Sequence, residues 1–262
     1  MSNEIKIIFS DEAGAWNDCH STYYLRSWMI IGFNDYMNIC SRYNFYKSET
    51  KLCDSELKIE NAGKLLENSD LFESFFSKDF DIKLLITYTI LSEFRERKFK
   101  NMAYWEKYSG DKNYIPDEKQ KVIEAIKYVN FLNIYEMYHI NGLLECLDNS
   151  VFYRFVVDSP QFVKKDFEAV FNNCCKVNEI NGSLNLIELS KNSIGIQIAG
   201  VISSVFYRKF HGKQKDVCDR LYRKFSERLI SNSKCNTSNG IKKIMWNKDI
   251  DKKSKLCNIL NI

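Results

Sequence analysis

Two acids in this chain stand at the ends of short apolar runs. Ile5–Gly14 reads Ile-Lys-Ile-Ile-Phe-Ser-Asp-Glu-Ala-Gly and closes on Asp11 and Glu12. Val151–Asp158 reads Val-Phe-Tyr-Arg-Phe-Val-Val-Asp, closes on Asp158 and is followed by Ser159 and Pro160. Runs of this length and type read as buried strands, where a terminal carboxylate is expensive unless its charge is used. If the two strands are parallel neighbours, Asp11 and Asp158 lie side by side at the carboxyl edge of the sheet, where open α/β sheets place their sites. Glu56, within Asp54-Ser-Glu-Leu-Lys-Ile-Glu60, supplies a third set of oxygens. Three converging carboxylates suit a hard cation, Mg²⁺ or Mn²⁺. Such ions activate water and stabilise the leaving oxygen when a phosphodiester is cut. Plainer readings stand beside this one: strand-end caps for Asp11 and Asp158, and an exposed acid at the start of a helix for Glu56. Asp11 and Glu12 are adjacent, so on a strand they face opposite sides, and Gly14 permits a sharp turn out of it.

The elements that must position these acids are legible as patterns. Tyr23–Phe33 reads as a second strand, paired with the first as a hairpin, and Asp81–Leu91 as a third. Helical spacing is expected over Asp35–Tyr46, Asn61–Ser77 and Ser92–Tyr108. It continues over Asp117–Leu147, with a break near His139–Gly142 that makes His139 a packing or boundary residue. A helix over about Phe162–Cys175 follows Pro160, then a short strand over Leu184–Leu189. The most apolar helix, Asn192–Phe210, carries Gln197 inside its run. Lys213–Ile230 reads as a basic amphipathic helix, and Ile241–Trp246 as a short segment before a lysine-rich tail. Strands, a helical middle, a further strand and C-terminal helices make a mixed α/β layered architecture. We take 1–262 as one domain, with a helical insertion over about 92–147 and a basic extension over about 211–262.

Composition bounds the partners. No apolar run approaches the roughly 20 residues of a membrane span, and the N-terminus has no secretory pattern, so a cytoplasmic protein without a membrane partner is expected. The 9 cysteines are scattered with no C-x-x-C pair, and an odd count argues for free thiols. The 3 histidines are far apart, which leaves no zinc-type spacing. The net charge of +4 hides an asymmetry: Val205–Ile262 carries 15 Lys/Arg against 5 Asp/Glu, and the rest of the chain is net acidic. A basic end points to a polyanion such as nucleic acid, held by Lys213, Lys215, Arg220, Arg223 and Lys224. A chain rich in Lys, Asn and Ile throughout gives the same asymmetry a plain compositional origin.

Four motifs, in order, resemble one family. Phe9-Ser-Asp-Glu-Ala-Gly14 is similar to its opening strand motif, an aromatic or Ile followed by Asp-Glu-Ser-Gly. Glu56-Leu-Lys58 is similar to its Glu-x-Lys element, Val156-Val-Asp-Ser159 to its later strand with an Asp, and Gly195–Ile202 to its Gln-hydrophobic-Ala-Asp-hydrophobic-Ile helix. This is domain-of-unknown-function family 3800, and the resemblance runs from about Ile5 to about Phe210. It implies an RNase H-like mixed sheet flanked by helices, with acids gathered at its centre and, by analogy, a divalent-metal-dependent nuclease. It places Asp11, Glu56 and Asp158 as ligands and catalytic acids. Around them stand Glu12, Lys58 as a phosphate contact or a neutralising partner, Ser159, and Gln197 orienting an acidic neighbour. Two departures matter: Ala13 replaces the usual Ser, and Gly200 stands where the family helix carries Asp. Glu188 is a compensating acid for that position, and Gly200→Asp would restore activity if the acid is merely missing. The alternative is a catalytically impaired protein that binds nucleic acid, DNA or RNA, or a protein partner.

Overall fold

β1 (Ile5–Ala13) is the spine of a six-stranded sheet of order β5-β4-β1-β2-β3-β6. The computed structural model describes residues 4–14, 21–50, 56–60, 62, 79–93, 131–158, 164–187, 193–212, 216–231 and 239–244. β2 (Tyr23–Gly32) pairs antiparallel with β1 from Lys6↔Gly32 to Ala13↔Leu25. β3 (Ile82–Ile90) pairs antiparallel with β2. β4 (Phe152–Asp158) returns to the other side of β1 in parallel, and β5 (Asn181–Ile187) extends the sheet in parallel beyond it. The short β6 (Ile241–Lys243) runs parallel to β3. The fold is thus mixed α/β: a mixed sheet flanked by helices.

Alternation on the strands divides the core in two. Ile7, Phe9, Leu25, Met29, Leu84, Ile86 and Val156 join one cluster, and Ile8, Trp28, Ile30, Leu85, Phe155 and Val157 join the other. Each fully buried Ile, Leu or Phe contributes about 1.5–3 kcal/mol relative to exposure. On the first face lie α1 (Phe33–Thr50), α4 (Ile194–Phe210) and α5 (Asp216–Ser226). α1 buries Ile39, Tyr43 and Tyr46 at helical spacing, and α5 buries Cys218, Leu221 and Phe225. On the second face lie α2 (Phe131–Leu144) and α3 (Lys164–Val177), packed against each other.

Several boundaries differ from the sequence reading. α1 starts at Phe33 without a linker, because β2 runs straight into it. α2 is unbroken through His139–Gly142. His139 is fully buried between Thr87 and Thr89, and a Cβ on Gly142 would come 2.7 Å from Ile244 Cδ1, so this glycine makes room for a neighbour and does not end the helix. α5 is shorter than Lys213–Ile230. The chain beyond it pairs with β3, where Leu84 N–H donates to the Arg228 carbonyl and Ile230 N–H to that of Leu84. The helices expected over Asn61–Ser77 and Ser92–Tyr108, and the start of the one expected from Asp117, fall almost entirely outside the described residues. Cys40, Cys174, Cys175 and Cys218 are free thiols, the adjacent pair being buried on α3; Cys146 is disulfide-bonded, against the expectation of free thiols throughout. No described helix is long and apolar enough to cross a membrane.

Candidate functional site

The parallel register of β1 and β4 ends at Phe9↔Val156 and Ser10↔Val157. One step further along both strands stand Asp11 and Asp158. Phe9 and Val156 both point into the core beneath α4, and two residues on is the same face. Both carboxylates therefore lie at the carboxyl end of two central strands, on the α4 side of the sheet. Asp158 is buried, at 9% exposure. Burial first, and then the negative charges of Asp158 and Glu56, push the Asp11 carboxyl up to about 6; the hydrogen bond from the Glu12 N–H and the charge of Arg26 oppose the rise. That N–H lies 2.8 Å from Asp11 Oδ1. Asp11, Asp158 and Glu56, from three separate segments, thus share one electrostatic neighbourhood.

α4 is fastened over this end of the sheet. Ser193 caps it, its Oγ accepting from the Ile196 N–H. Ser27 Oγ donates to the Ala199 carbonyl at 2.8 Å, and Ser203 Oγ to the Glu12 carbonyl at 3.3 Å. Gly14, at φ +92, turns the chain away where the Tyr207 ring closes on it. Gly200 faces Asp11 so closely that a Cβ there would sit 2.5 Å from Asp11 Oδ2. The glycine at this position is therefore what lets the Asp11 carboxylate lie against the helix. Any side chain at 200, that of Gly200→Asp included, must first displace the Asp11 carboxylate. Gly200→Ala is expected to move the Asp11 carboxylate and pull its titration back toward the ordinary range; an unchanged Asp11 midpoint by carbonyl NMR would refute the contact.

Gln197 lies one turn before Gly200 on α4. Its Oε1 accepts from the Leu57 N–H at 2.7 Å and from the Tyr43 hydroxyl at 2.8 Å. Leu57 and Ile59 anchor the segment in the core, and Glu60 pairs with Arg208. Lys58 Nζ lies 3.5 Å from Glu56 Oε2 on an exposed side chain, so here it neutralises Glu56.

Glu12, grouped by sequence with the acidic site, faces the other way. Strand alternation turns it toward α2, where its Oε2 accepts from Arg26 Nη2 at 2.9 Å. Arg26 is fully buried and its Nη1 also donates to Ser10 Oγ at 3.1 Å. Trp28 Nε1 donates to Thr87 Oγ1 at 2.9 Å, and His139 spans Thr87 and Thr89 at 2.7 and 3.1 Å. Burial and the Arg26 charge hold the His139 imidazole down to about 3, so it is neutral over the ordinary pH range. Sequence reasoning missed Arg26 and Tyr43. For Arg26 a signal existed: a lone cation inside the apolar run Tyr23–Gly32 requires a buried partner, and the hairpin register offers Glu12.

Ser159, Glu188, Lys213 and Lys215 lie outside the described residues. Arg220 and Arg223 are exposed on α5 and Lys224 is half-buried. The helix is not uniformly basic: Asp216 precedes Arg220 by one turn, Glu227 follows Arg223 by one turn, and Asp219 pairs with Lys209 at 3.0 Å.

Among the described residues, no group of three or more His, Cys, Asp or Glu is arranged to hold a metal ion. The donor chemistry nevertheless fits a hard cation, since all three acids offer oxygen and the Asp11 carboxyl is raised by burial and by the two others, a strain that a cation relieves. Asp11 is turned against Gly200.

These features define a mixed α/β protein with acidic residues at the carboxyl end of its central strands. No family model and no curated protein matches the chain. Among solved structures, the ribonuclease H2 from Pyrococcus horikoshii OT3 is similar at 13% identity, over 87% of this chain and 82% of that one, with a TM-score of 0.40.

Proposed function

We propose that this chain is an RNase H-like, divalent-metal-dependent nuclease, related to domain-of-unknown-function family 3800, that hydrolyses phosphodiesters of nucleic acid with Mg²⁺ or Mn²⁺. The observation that carries this reading is the placement of Asp11 and Asp158 on the same face, at the ends of adjacent parallel central strands, with the charge of Glu56 reaching Asp11. The cation, when bound, supplies an activated water and charge for the leaving oxygen. Asp11, Asp158 and Glu56 would hold it, with Asp158 buried on the α4 side of the sheet. Lys58, exposed and paired with Glu56, would exchange that pairing for a phosphate. Arg220 and Arg223 would take the polyanion further along.

The second reading, a non-catalytic binder of nucleic acid or of a protein, has its own observation: the acids do not form a ready coordination group, and Gly200 supplies no acid. One assay separates the two. Single- and double-stranded DNA and RNA are incubated with Mg²⁺ and with Mn²⁺, using wild type, Asp11→Asn and Asp158→Asn. Cleavage by wild type alone supports the nuclease; an inert wild type that still binds nucleic acid leaves the binder. Binding has its own test. Arg220→Glu with Arg223→Glu should weaken affinity on all sequences and flatten the log–log salt slope by about 2, one unit for each lost phosphate contact. An unchanged slope would make this charge a solvated face.

A further inference from the structure

Among the described residues, Glu56 to Glu60 join no strand, and yet the Glu56 charge reaches Asp11. What holds it is a side chain. Gln197 is buried at 4% exposure among the apolar residues of α4, where an amide is costly unless it is used. Its Oε1 is identified without ambiguity, because the Leu57 backbone N–H that reaches it at 2.7 Å can only donate. The Tyr43 hydroxyl, from α1, donates to the same oxygen at 2.8 Å. One acceptor atom thus joins three elements: α1, α4 and the residue immediately after Glu56. Gln197 and Gly200 are three apart, and so share a face of α4. One end of that face fixes Glu56, and the other accommodates Asp11.

We infer that Gln197, with Tyr43, is the positioning pair for Glu56, and that the Gln197-x-x-Gly200 face of α4 sets the separation between the Glu56 and Asp11 carboxylates for a shared divalent cation. This rests on the metal-site reading above and adds to it the residues that make Glu56 a usable ligand. Neither positioning residue touches the cation. Gln197 acts through the Leu57 amide and Tyr43 through Gln197, as the outer partners of metal ligands commonly do. Hydrophobic burial of Leu57 and Ile59 brings the segment to α4, the Glu60–Arg208 pair fastens its far end, and the Gln197 hydrogen bond sets the register next to Glu56.

The test is Mn²⁺ binding, followed by electron paramagnetic resonance, on the full chain carrying Gln197→Met, Glu56→Gln, both changes, Tyr43→Phe or Asp11→Asn. Methionine keeps the length of Gln197 and removes the acceptor. Gln197→Met should weaken Mn²⁺ binding about tenfold or more, and Tyr43→Phe by less, because the Leu57 bond survives. The double variant should bind no worse than Glu56→Gln alone, since a residue that acts only through Glu56 has nothing left to position. Amide exchange at Leu57 should quicken in Gln197→Met and stay slow in Glu56→Gln. Additive losses in the double variant, or a Gln197→Met protein that binds Mn²⁺ as wild type does, would overturn the assignment. Wild-type protein that binds no Mn²⁺, or binds it equally after Asp11→Asn, would overturn the metal-site reading itself and this inference with it.

Discussion

Asp11→Asn is expected to abolish metal-dependent cleavage and, in the absence of metal, to make the protein more stable at neutral pH. The two effects have one origin. Asp11 is ionised at pH 7 in a place that disfavours its charge, because burial and the neighbouring Asp158 and Glu56 raise its carboxyl to about 6. In the unfolded chain it titrates near 3.8. Between those values the folded state binds more proton than the unfolded state, so the contribution of Asp11 to stability is complete below about pH 4 and is lost as pH rises through 6. Asparagine keeps the shape and the oxygen that accepts from the Glu12 N–H, and removes the charge. Urea melts should therefore nearly coincide for wild type and variant near pH 4 and separate up to pH 7, where the variant leads by ~3 kcal/mol. Added Mn²⁺ should raise the melting temperature of wild type, as a ligand of the native state must, and leave that of the variant unchanged. Because protons and the cation compete for Asp11, the Mn²⁺ shift should fade below pH 6. Two parallel stability curves would sink the electrostatic account, and cleavage by the variant would place the activity elsewhere.

The strands were the most legible part of the chain, and the reason is local. β1, β2, β3 and β4 are continuous apolar runs bounded by polar turns, and their period of two carries over directly into the two faces of the sheet. Pairing was less legible. Two acids at strand ends say nothing of which strands are neighbours, and it is the parallel pairing of β4 with β1 that puts Asp11 and Asp158 together. Gly142 was misread for the same reason: it looked like a helix break, but Ile244, distant in sequence, stands where its Cβ would be, as Asp11 stands at Gly200. Alternation put Glu12 on the opposite face from Asp11, as expected, but its grouping around the acidic site gave way to a partner that sequence had not supplied, Arg26.

The Glu12–Arg26 pair should be the most sensitive structural feature on that opposite face, and sensitive unequally. Arg26 is fully buried, whereas the Glu12 side chain is 14% exposed. Glu12→Gln leaves a guanidinium without its counter-charge in the core, at a cost of roughly 3 kcal/mol, the lower end for breaking a buried pair because Glu12 lies near the sheet edge. Arg26→Met fills similar volume and leaves Glu12 able to turn toward water, so it should cost about half as much. Changing both, Glu12→Leu with Arg26→Met, should recover most of the loss, since no charge then stays buried. A double-mutant cycle from urea melts measures this directly; equal losses that add would mean the pair is solvated and worth little. The same variants report across the sheet. Arg26 lowers the Asp11 carboxyl from the other face, so Arg26→Met should push Asp11 above 6 and demand a higher pH for the same Mn²⁺ affinity. Glu12→Gln leaves that cation in place and should not. An Asp11 midpoint indifferent to Arg26 would confine the buried pair to stability alone and separate it from the acidic site.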